Sequence, residues 1–446
     1  MATVRAIVDE TAWVAALNHD GEGVVRDGKT AFVAGALPGE EVLFRRGKRH
    51  RGHDDGWLLR VLTPSAQRVA PACKHFGTCG GCTLQHLDHE AQLAAKDEQL
   101  HDALVRVGKV TPLQRLAPLR GPIWNYRRRA RLGARYVRAQ DRTLVGFRER
   151  LTSYIAAIDR CEVLAPPVGG MIAQLSDLVS HLSIRDRLPQ VEVAIGDAQV
   201  ALVLRILAPL TEPDVERLRA FELQHRVTFY LQSGSPDDLQ TLGAGAEPLY
   251  YDLPEFAVRL QFRPGAFVQV NAAVNRLLVA RVVELLQLDA ASRVVDLYCG
   301  LGNFTLPLAR RAAAVIGIEG DAGLVACARD NAAANGLGNV SFAAANLAGT
   351  AAAAGCAGIA AAVGDVTHVL LDPPRTGARD ILPAIAQLAP RRVVYVSCHP
   401  GSLARDLGEL VHDHGYTLAA AGIVDMFPHT NHVESVAVLD GPGSRS

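Results

Sequence analysis

The chain has 446 residues, which exceeds a single ordinary hydrophobic core and predicts about three domains. Apolar residues form 49% of it, which excludes a disordered protein, and the formal net charge of zero by itself argues against a nucleic-acid partner. No apolar stretch is long and uniform enough to predict a membrane span, and no secretory signal is visible. We therefore expect a cytoplasmic protein with reduced cysteines.

Residues 1–63 alternate short apolar runs with turn signals such as Asn18-His19-Asp20-Gly21. Many short strands separated by glycines predict a small β-barrel. The basic run Arg45-Arg46-Gly47-Lys48-Arg49-His50-Arg51 lies within this segment, close to Phe44 and Trp57, whose rings can stack on bases.

Arginines are concentrated in the segment 115–150, which holds eleven of them against two acids, Asp141 and Glu149. Segregated basic tracts are expected of a surface that contacts phosphates. Trp124, Tyr126 and Tyr136 lie in the same segment and can also stack on bases. The charge distribution therefore favours a nucleic-acid partner, with a solvated face as the alternative.

Pro64–Pro71 is typical of a linker, and a cysteine cluster follows it. Three thiols fall within ten residues, and a fourth candidate comes later in the chain: Cys73, Cys79, Cys82 and Cys161. Four thiolates fit zinc and an iron–sulfur cluster equally well, and His75 and His86 keep a mixed zinc site open. The spacing alone does not decide between the two metals.

Apolar residues with helical spacing predict a helix over about 89–107, which can pack on the catalytic domain. The pattern from there to residue 262 mixes strands and helices, which predicts an α+β central domain over 64–262. From residue 263 to 446, strand-like runs alternate with helical ones. This alternation predicts a Rossmann-like α/β domain with a mainly parallel, doubly wound sheet.

A predicted strand, a glycine turn and a helix start follow one another in the run Val294–Thr305. Such a turn lets the backbone approach a ligand closely. Glu319 ends the next strand, where a carboxylate accepts hydrogen bonds from ribose hydroxyls. The pair indicates an adenosine cofactor, and both NAD and S-adenosylmethionine fit. Thr305 stands where a dinucleotide fingerprint has its third glycine, which disfavours NAD.

Candidate catalytic residues follow two further predicted strands. Asp372-Pro373-Pro374-Arg375 is a rigid loop that can frame a planar base, and Cys398 ends the next strand. We expect Ser402 to cap the following helix and Arg405 to lie in range of the thiol, which predicts a depressed pKa for Cys398 and makes it a nucleophile candidate. Glu434, at the edge of the last strand, is a candidate general base.

Five sequence motifs together closely resemble those of the RNA (uracil-5)-methyltransferase family: FVQVN, DLYCGLGNFTLPLA, LLDPPRTG, YVSCHPGSLARDL and DMFPHTNHVESV. The resemblance implies Cys398 as nucleophile and Glu434 as base. It also implies a set of S-adenosylmethionine contacts: Gln269, Tyr298, Asn303, Glu319, Asn346 and Asp372.

The same resemblance implies that the barrel is a TRAM domain, an OB-like RNA-binding module, and that the four cysteines hold a 4Fe-4S cluster. It implies methyl transfer to carbon 5 of a uridine of 23S ribosomal RNA, uridine 1939. We also expect a monomer with no membrane partner. Another uridine of that RNA, a tRNA, a non-catalytic RNA-binding protein and an NAD-dependent oxidoreductase are the alternatives.

Overall fold

In this computed structural model the structure describes residues 9–235, 238–243, 247–349 and 352–443. The chain divides into two compact units. The small unit comprises Met1–Gln99, Phe147–Ala156 and Phe427–His432, and the large unit comprises Leu100–Gly146, Ala157–Met426 and Val433–Ser446. Within the described residues, no helix is both long enough and apolar enough to cross a membrane.

The small unit begins with a closed five-stranded barrel in which the strand order is β1-β2-β3-β5-β4. Its strands are β1 (Asp9–Leu17), β2 (Gly23–Val25), β3 (Ala31–Ala34), β4 (Glu41–Arg49) and β5 (Asp54–Thr63). Alternate residues of each strand point inward, which gives a core that includes Val14, Val33, Val42 and Phe44. The predicted small barrel is confirmed.

The segment read as a linker is attached to this barrel. Glu40 is fully buried and accepts hydrogen bonds from Arg68 Nη2 at 2.8 Å and from the Leu37 amide at 2.9 Å. Burial alone would raise the pKa of Glu40, but these hydrogen bonds outweigh it and hold the pKa below its usual value. Arg68, within the predicted linker, is therefore held by a buried partner 28 residues away, which the sequence does not reveal.

The predicted helix over about 89–107 is present as α1 (His89–Ala103), followed by one π-helical turn, Leu104–Gly108. In the large unit this turn packs against a helix near the end of the chain. His412 Nε2 lies 3.1 Å from the Gly108 carbonyl oxygen, and a Cβ at Gly108 would lie 2.3 Å from the Ala404 oxygen. The close approach requires glycine at position 108.

The central part of the large unit is a six-stranded sheet with the strand order β12-β11-β10-β9-β7-β8. A short hairpin of β13 and β14 follows it. The elements in chain order are β6 (Gln114–Arg115), β7 (Arg129–Val137), β8 (Arg142–Gly146), α2 (Ile172–Ser180), β9 (Gln190–Ile195), β10 (Val200–Arg205), α3 (Glu212–His225), β11 (Thr228–Gln232), β12 (Leu239–Thr241), β13 (Leu249–Leu253) and β14 (Val258–Phe262).

The C-terminal part confirms the predicted doubly wound sheet. Its elements are α4 (Ala272–Leu286), β15 (Arg293–Leu297), α5 (Thr305–Ala309), β16 (Ala314–Glu319), α6 (Ala322–Ala334), β17 (Val340–Ala344), α7 (Ala352–Ala360), β18 (His368–Leu371), α8 (Leu382–Leu388), β19 (Arg392–Ser397), α9 (Pro400–His412), β20 (Thr417–Val424) and β21 (Glu434–Asp440). Eight strands lie in the order β17-β16-β15-β18-β19-β21-β20-β6.

Strand direction in this sheet decides which loops meet. β15 to β19 run parallel, so their carboxyl ends share one edge, where ligands of open α/β sheets bind. β21 is antiparallel to β19 and to β20, so its first residue lies at that same edge. The glycine turn, the loop after β18, the residue after β19 and the start of β21 are thereby brought to one edge.

Candidate active site

The turn after β15 has the backbone that a close ligand approach requires. Gly300 and Gly302 have φ angles of 55° and 98°, and a Cβ at Gly302 would lie 2.4 Å from Leu306 Cδ1. Tyr298 also has a positive φ of 63°, which is uncommon for a residue with a side chain. The Gly300 amide donates to Glu319 Oε2 at 3.0 Å, which joins this turn to the end of β16.

The carboxylate of Glu319 is held by three backbone amides. Besides Gly300, it accepts hydrogen bonds from Gly320 at 2.7 Å and from Asp321 at 3.1 Å. Each carboxylate oxygen has two lone pairs, so acceptor capacity remains for ribose hydroxyls. The geometry is compatible with the predicted cofactor contact.

Asn303 lies in a buried polar network. Its Oδ1 accepts hydrogen bonds from Asn275 Nδ2 at 2.8 Å and from the Tyr251 hydroxyl at 2.9 Å, and its Nδ2 donates to Asn275 Oδ1 at 3.0 Å. Burial raises the pKa of Tyr251 far above its usual value, so the hydroxyl keeps its proton and donates. The sequence analysis did not predict the contacts of Asn275 and Tyr251 with Asn303, because neither residue lies in a recognisable motif.

The remaining predicted cofactor contacts come from separate segments. The Tyr298 hydroxyl donates to the Leu347 carbonyl at 3.2 Å, which ties the glycine turn to the loop after β17. Asn346, in that loop, is exposed, and its Oδ1 accepts the Ala348 amide at 3.0 Å. Gln269 is half-buried in the segment that precedes α4.

Thr305 has a structural role that explains the missing glycine. Its hydroxyl donates to Asp296 Oδ2 at 2.5 Å, which ties the start of α5 to β15. Asp296 is fully buried, and its Oδ1 has no hydrogen-bond partner among the described residues. Burial raises the pKa of Asp296 to about 8, so the group is largely protonated at neutral pH.

Cys398 and Glu434 are brought together by strand register. β19 and β21 pair Ser397 with Ser435, and the Ser435 hydroxyl donates to the Ser397 carbonyl at 3.1 Å. One step further along this antiparallel ladder, Cys398 and Glu434 stand opposite each other. Asp372, after the neighbouring strand β18, interacts electrostatically with both groups.

The predicted depressed pKa of Cys398 is wrong. Burial, together with the charges of Glu434 and Asp372, raises the pKa of this thiol to about 11, while Arg375 opposes them. The predicted influence of Arg405 is lost because its guanidinium is paired with Asp406 at 2.6 Å.

The helix after Cys398 also begins differently from the prediction. The N-cap of α9 is His399, whose Nδ1 accepts the Ser402 amide at 3.1 Å. The prediction that Ser402 caps this helix is therefore wrong. Ser402 instead lies within the first turn, where its hydroxyl donates to the Arg375 carbonyl at 2.9 Å.

The two carboxyl groups beside Cys398 have raised pKa values. Burial raises the pKa of Asp372 to about 7, and burial together with Asp372 raises that of Glu434 well above its usual value. Glu434 is 3% exposed, so water does little to stabilise its charged form. Without ligands, the site holds a thiol and at least one protonated carboxyl group at neutral pH.

The loop that carries Arg375 is fixed from α9. Asp406 is fully buried, and its Oδ2 accepts the Ala378 amide and the Tyr395 hydroxyl, both at 2.7 Å. Together with the bond from Ser402 to Arg375, these contacts hold both ends of the loop that follows Asp372. Sequence reasoning missed Asp406, since an aspartate in an amphipathic helix is ordinarily a surface residue.

Three of the predicted cluster cysteines, Cys73, Cys79 and Cys82, lie in the small unit, and Cys161 lies in the large unit. All eight cysteines of the chain are free of disulfides. The Gly81 amide is 3.4 Å from Cys79 Sγ, and the Gly80 amide donates to the Arg148 carbonyl at 2.8 Å. A backbone amide directed at a cysteine sulfur is typical of iron–sulfur sites, and the surroundings of Cys79 are compatible with such a site.

His86, which sequence reasoning offered as a ligand of a mixed zinc site, is buried beside Phe76 with ring centroids 5.2 Å apart. In the part of the chain that the structure describes, neither ring nitrogen has a hydrogen-bond partner. Burial lowers the pKa of His86 to about 4, with help from the charges of Arg68 and Arg150, so the ring is neutral.

Much of the predicted basic surface is engaged in ion pairs. Arg129 and Arg131 both pair with Glu192, at 3.1 and 3.2 Å, and Arg128 pairs with Asp197. Arg131 nevertheless keeps 65% of its side chain exposed. Arg129 also lies over the ring of Phe267, 5.9 Å from its centroid, and that ring is 61% exposed.

The parallel sheet with its cofactor turn defines an α/β methyltransferase fold. Residues 252–441 match the sequence pattern of the family described as tRNA (Uracil-5-)-methyltransferase. A solved structure, the Pyrococcus abyssi tRNA (uracil-54, C5)-methyltransferase in complex with S-adenosyl-L-homocysteine, is similar with a TM-score of 0.73 and 25% identity, covering 96% of this chain and 100% of that one.

Curated relatives match over almost the whole chain. The 23S rRNA (uracil(1939)-C(5))-methyltransferase RlmD of Alkalilimnicola ehrlichii is 49% identical, covering 96% of this chain and 95% of the relative. The protein of the same name from Stenotrophomonas maltophilia strain K279a is 46% identical, covering 99% and 100%. The chain belongs to the RNA (uracil-5)-methyltransferase family, and the resemblance read from the sequence motifs is confirmed.

The raised pKa of Cys398 predicts how this thiol reacts with iodoacetamide. Since only the thiolate reacts, the alkylation rate should keep rising about tenfold per pH unit beyond pH 9. Glu434→Gln should shift the profile to lower pH by removing a negative charge, and Arg375→Ala should shift it to higher pH. Mass spectrometry of the peptide containing Cys398 measures the rate. Cys327 is the control thiol, and a wild-type plateau for Cys398 below about pH 9 would contradict this account.

Proposed function

We propose that this chain transfers a methyl group from S-adenosylmethionine to carbon 5 of uridine 1939 of 23S ribosomal RNA, the substrate in the names of its full-length relatives. The observation that carries the chemistry is the register that sets Cys398 opposite Glu434, with Asp372 at the neighbouring strand end. A nucleophile and a base on adjacent strands can act on two neighbouring atoms of one ring.

Carbon 5 of uracil is a weak nucleophile, and the residues of this site supply what it lacks. The Cys398 thiolate adds to carbon 6, which converts the ring to an enolate with electron density on carbon 5. S-adenosylmethionine, when bound, supplies an electrophilic methyl group to that carbon. Glu434 then accepts the proton from carbon 5, and the electrons of the broken C–H bond expel the Cys398 thiolate by elimination.

The raised pKa values suit this order of events. Glu434 is a stronger base than an ordinary carboxylate once it is ionised, because its surroundings favour the protonated form. Cys398 needs help to ionise, and Arg375 is the cation that favours its thiolate. The target base must leave its stack to reach this edge, at a cost of a few kcal/mol. The exposed ring of Phe267 is a stacking partner for it.

We assign the cofactor to the loops at the carboxyl ends of β15 to β18 and to the segment before α4, with the contacts that the family motifs imply: Gln269, Tyr298, Asn303, Glu319, Asn346 and Asp372. The fixed carboxylate of Glu319 supports a ribose contact there. The network around Asn303 supports an ordered amide beside the glycine turn.

We further propose three domains: a TRAM-like RNA-binding barrel at 1–63, a central α+β domain at 64–262 with a 4Fe-4S cluster on Cys73, Cys79, Cys82 and Cys161, and the methyltransferase domain at 263–446. The three cysteines within ten residues and the Gly81 amide near Cys79 Sγ support the cluster. We assign the cluster a folding or RNA-positioning role. The enzyme is expected to act as a cytoplasmic monomer.

The substrate assignment predicts a specific gap in cells that lack this protein. Their 23S rRNA should have unmodified uridine at position 1939, as mass spectrometry of a protected rRNA fragment would measure. The wild-type chain and Cys327→Ala should restore 5-methyluridine, whereas Cys398→Ala should not. Persistence of 5-methyluridine at 1939, together with its loss from another uridine of 23S rRNA or from a tRNA, would reassign the substrate.

Glu434→Gln should separate the two catalytic roles, because the amide cannot accept the carbon 5 proton. This variant should add to carbon 6, take up the methyl group and stall before elimination. With RNA and methyl-labelled S-adenosylmethionine it should give a labelled protein–RNA adduct that survives denaturing electrophoresis. The double variant Cys398→Ala/Glu434→Gln is the control and should give no adduct. Normal turnover by Glu434→Gln would rule out its assignment as the base.

The cluster proposal predicts that anaerobically purified protein is brown, with iron and sulfide each near four per chain. Cys161→Ser should lose iron and colour, since it removes one of four thiolate ligands, whereas Cys327→Ser should keep both. Metal analysis and visible absorption spectra measure this. Stoichiometric zinc without iron in the wild-type protein would show that the four cysteines form a zinc site instead.

A further inference from the structure

The turn between β4 and β5 of the barrel places three metal-ligand side chains together. His50, His53 and Asp55 each offer one ligand atom, and these atoms all lie within 4.8 Å of one another. The turn is closed by the His50 amide, which donates to the His53 carbonyl at 2.9 Å, and by the pairing of Arg49 with Asp54. The backbone of a tight hairpin therefore holds the three side chains on one side of the turn.

The two imidazole rings are oriented by their neighbours. They stack with centroids 4.5 Å apart and an angle of 18° between their planes. His53 also packs on Phe32 with centroids 4.6 Å apart, and His50 Nε2 lies 3.0 Å from Asp55 Oδ1. All three ligand residues are half-buried, so less side-chain freedom is lost when an ion binds than for fully exposed residues.

The ion pairs near the turn leave the Asp55 carboxylate available as a metal ligand. Lys29 pairs with Asp54 at 2.6 Å, and Arg46 pairs with Glu10 at 2.9 Å and with Asp54 at 3.3 Å. Lys29 and Arg46 are thus engaged by other acids, whereas Asp55 contacts His50. Two imidazoles and a carboxylate form a donor set that zinc and similar divalent ions prefer, and alkaline-earth ions, which prefer all-oxygen sites, do not.

We propose that the barrel binds a divalent transition-metal ion through His50, His53 and Asp55, at a site separate from the cysteine cluster. Three protein ligands leave at least one coordination position for water or another oxygen ligand. His50 belongs to the basic run Arg45–Arg51, and His53 and Asp55 follow that run in sequence. The site does not take part in the methyl-transfer mechanism.

Isothermal titration calorimetry with Zn²⁺ tests the site on full-length protein that has been purified anaerobically, so that the cluster occupies its thiols. Wild-type protein should bind one Zn²⁺ that His50→Ala, His53→Ala and Asp55→Asn each bind at least about tenfold more weakly. His19→Ala, at another turn of the same barrel, is the matched control and should bind as the wild type does. Equal binding by all variants would overturn the proposal.

A second measurement needs no variant. Zn²⁺ should protect His50 and His53 of the wild-type chain, but not His19, from modification by diethyl pyrocarbonate, as peptide mass spectrometry would show. Co²⁺ bound at this site should lack the intense thiolate-to-metal absorption that cysteine ligands give. Unchanged modification of His50 and His53 with Zn²⁺ present, or a Co²⁺ spectrum with thiolate bands only, would place the ion at the cysteines and reject the site.

Discussion

The catalytic edge depends on one electrostatic constraint: three acidic groups share a poorly hydrated place. Asp372, Cys398 and Glu434 repel one another when ionised, and burial penalises each charge further. Three negative charges close together are unfavourable without a compensating cation. Protonation of these groups is therefore favoured in the resting site. A resting thiol is also less reactive toward oxidants than a thiolate, which protects Cys398, the proposed nucleophile, between turnovers.

The fold places both the groups that repel one another and the cation that opposes this repulsion. The reversed direction of β21 sets Glu434 across from Cys398, and a parallel strand in its place would have put Glu434 at the opposite edge of the sheet. Asp406 and Ser402 hold the loop that carries Arg375, the cation which favours the thiolate. Catalytic groups need such support from buried neighbours, because a small displacement costs much of the rate.

The barrel, the parallel sheet and the sheet edge that carries the proposed catalytic motifs could be predicted from the sequence. Alternating apolar and polar residues and the ends of strands are local patterns. The sequence could not predict the ionisation of Cys398. The pKa of Cys398 depends on its burial and on the ion pair between Arg405 and Asp406, and a sequence pattern reveals neither. Arg129 and Arg131 are a similar case, since their partner Glu192 is about sixty residues away in sequence. The pairs around Asn303 also join distant segments.

The same charge logic bears on which adenosine cofactor the glycine turn accepts. A dinucleotide site needs an unobstructed helix N-terminus for an anionic diphosphate, with small residues that let helix and strand pack closely. Here Thr305 donates to the buried Asp296, and the Gly300 amide donates to Glu319. The carboxylate of Glu319 at this turn repels a diphosphate but attracts a sulfonium cation. The departure at Thr305 is therefore part of a site whose electrostatics favour a positively charged methyl donor over a dinucleotide.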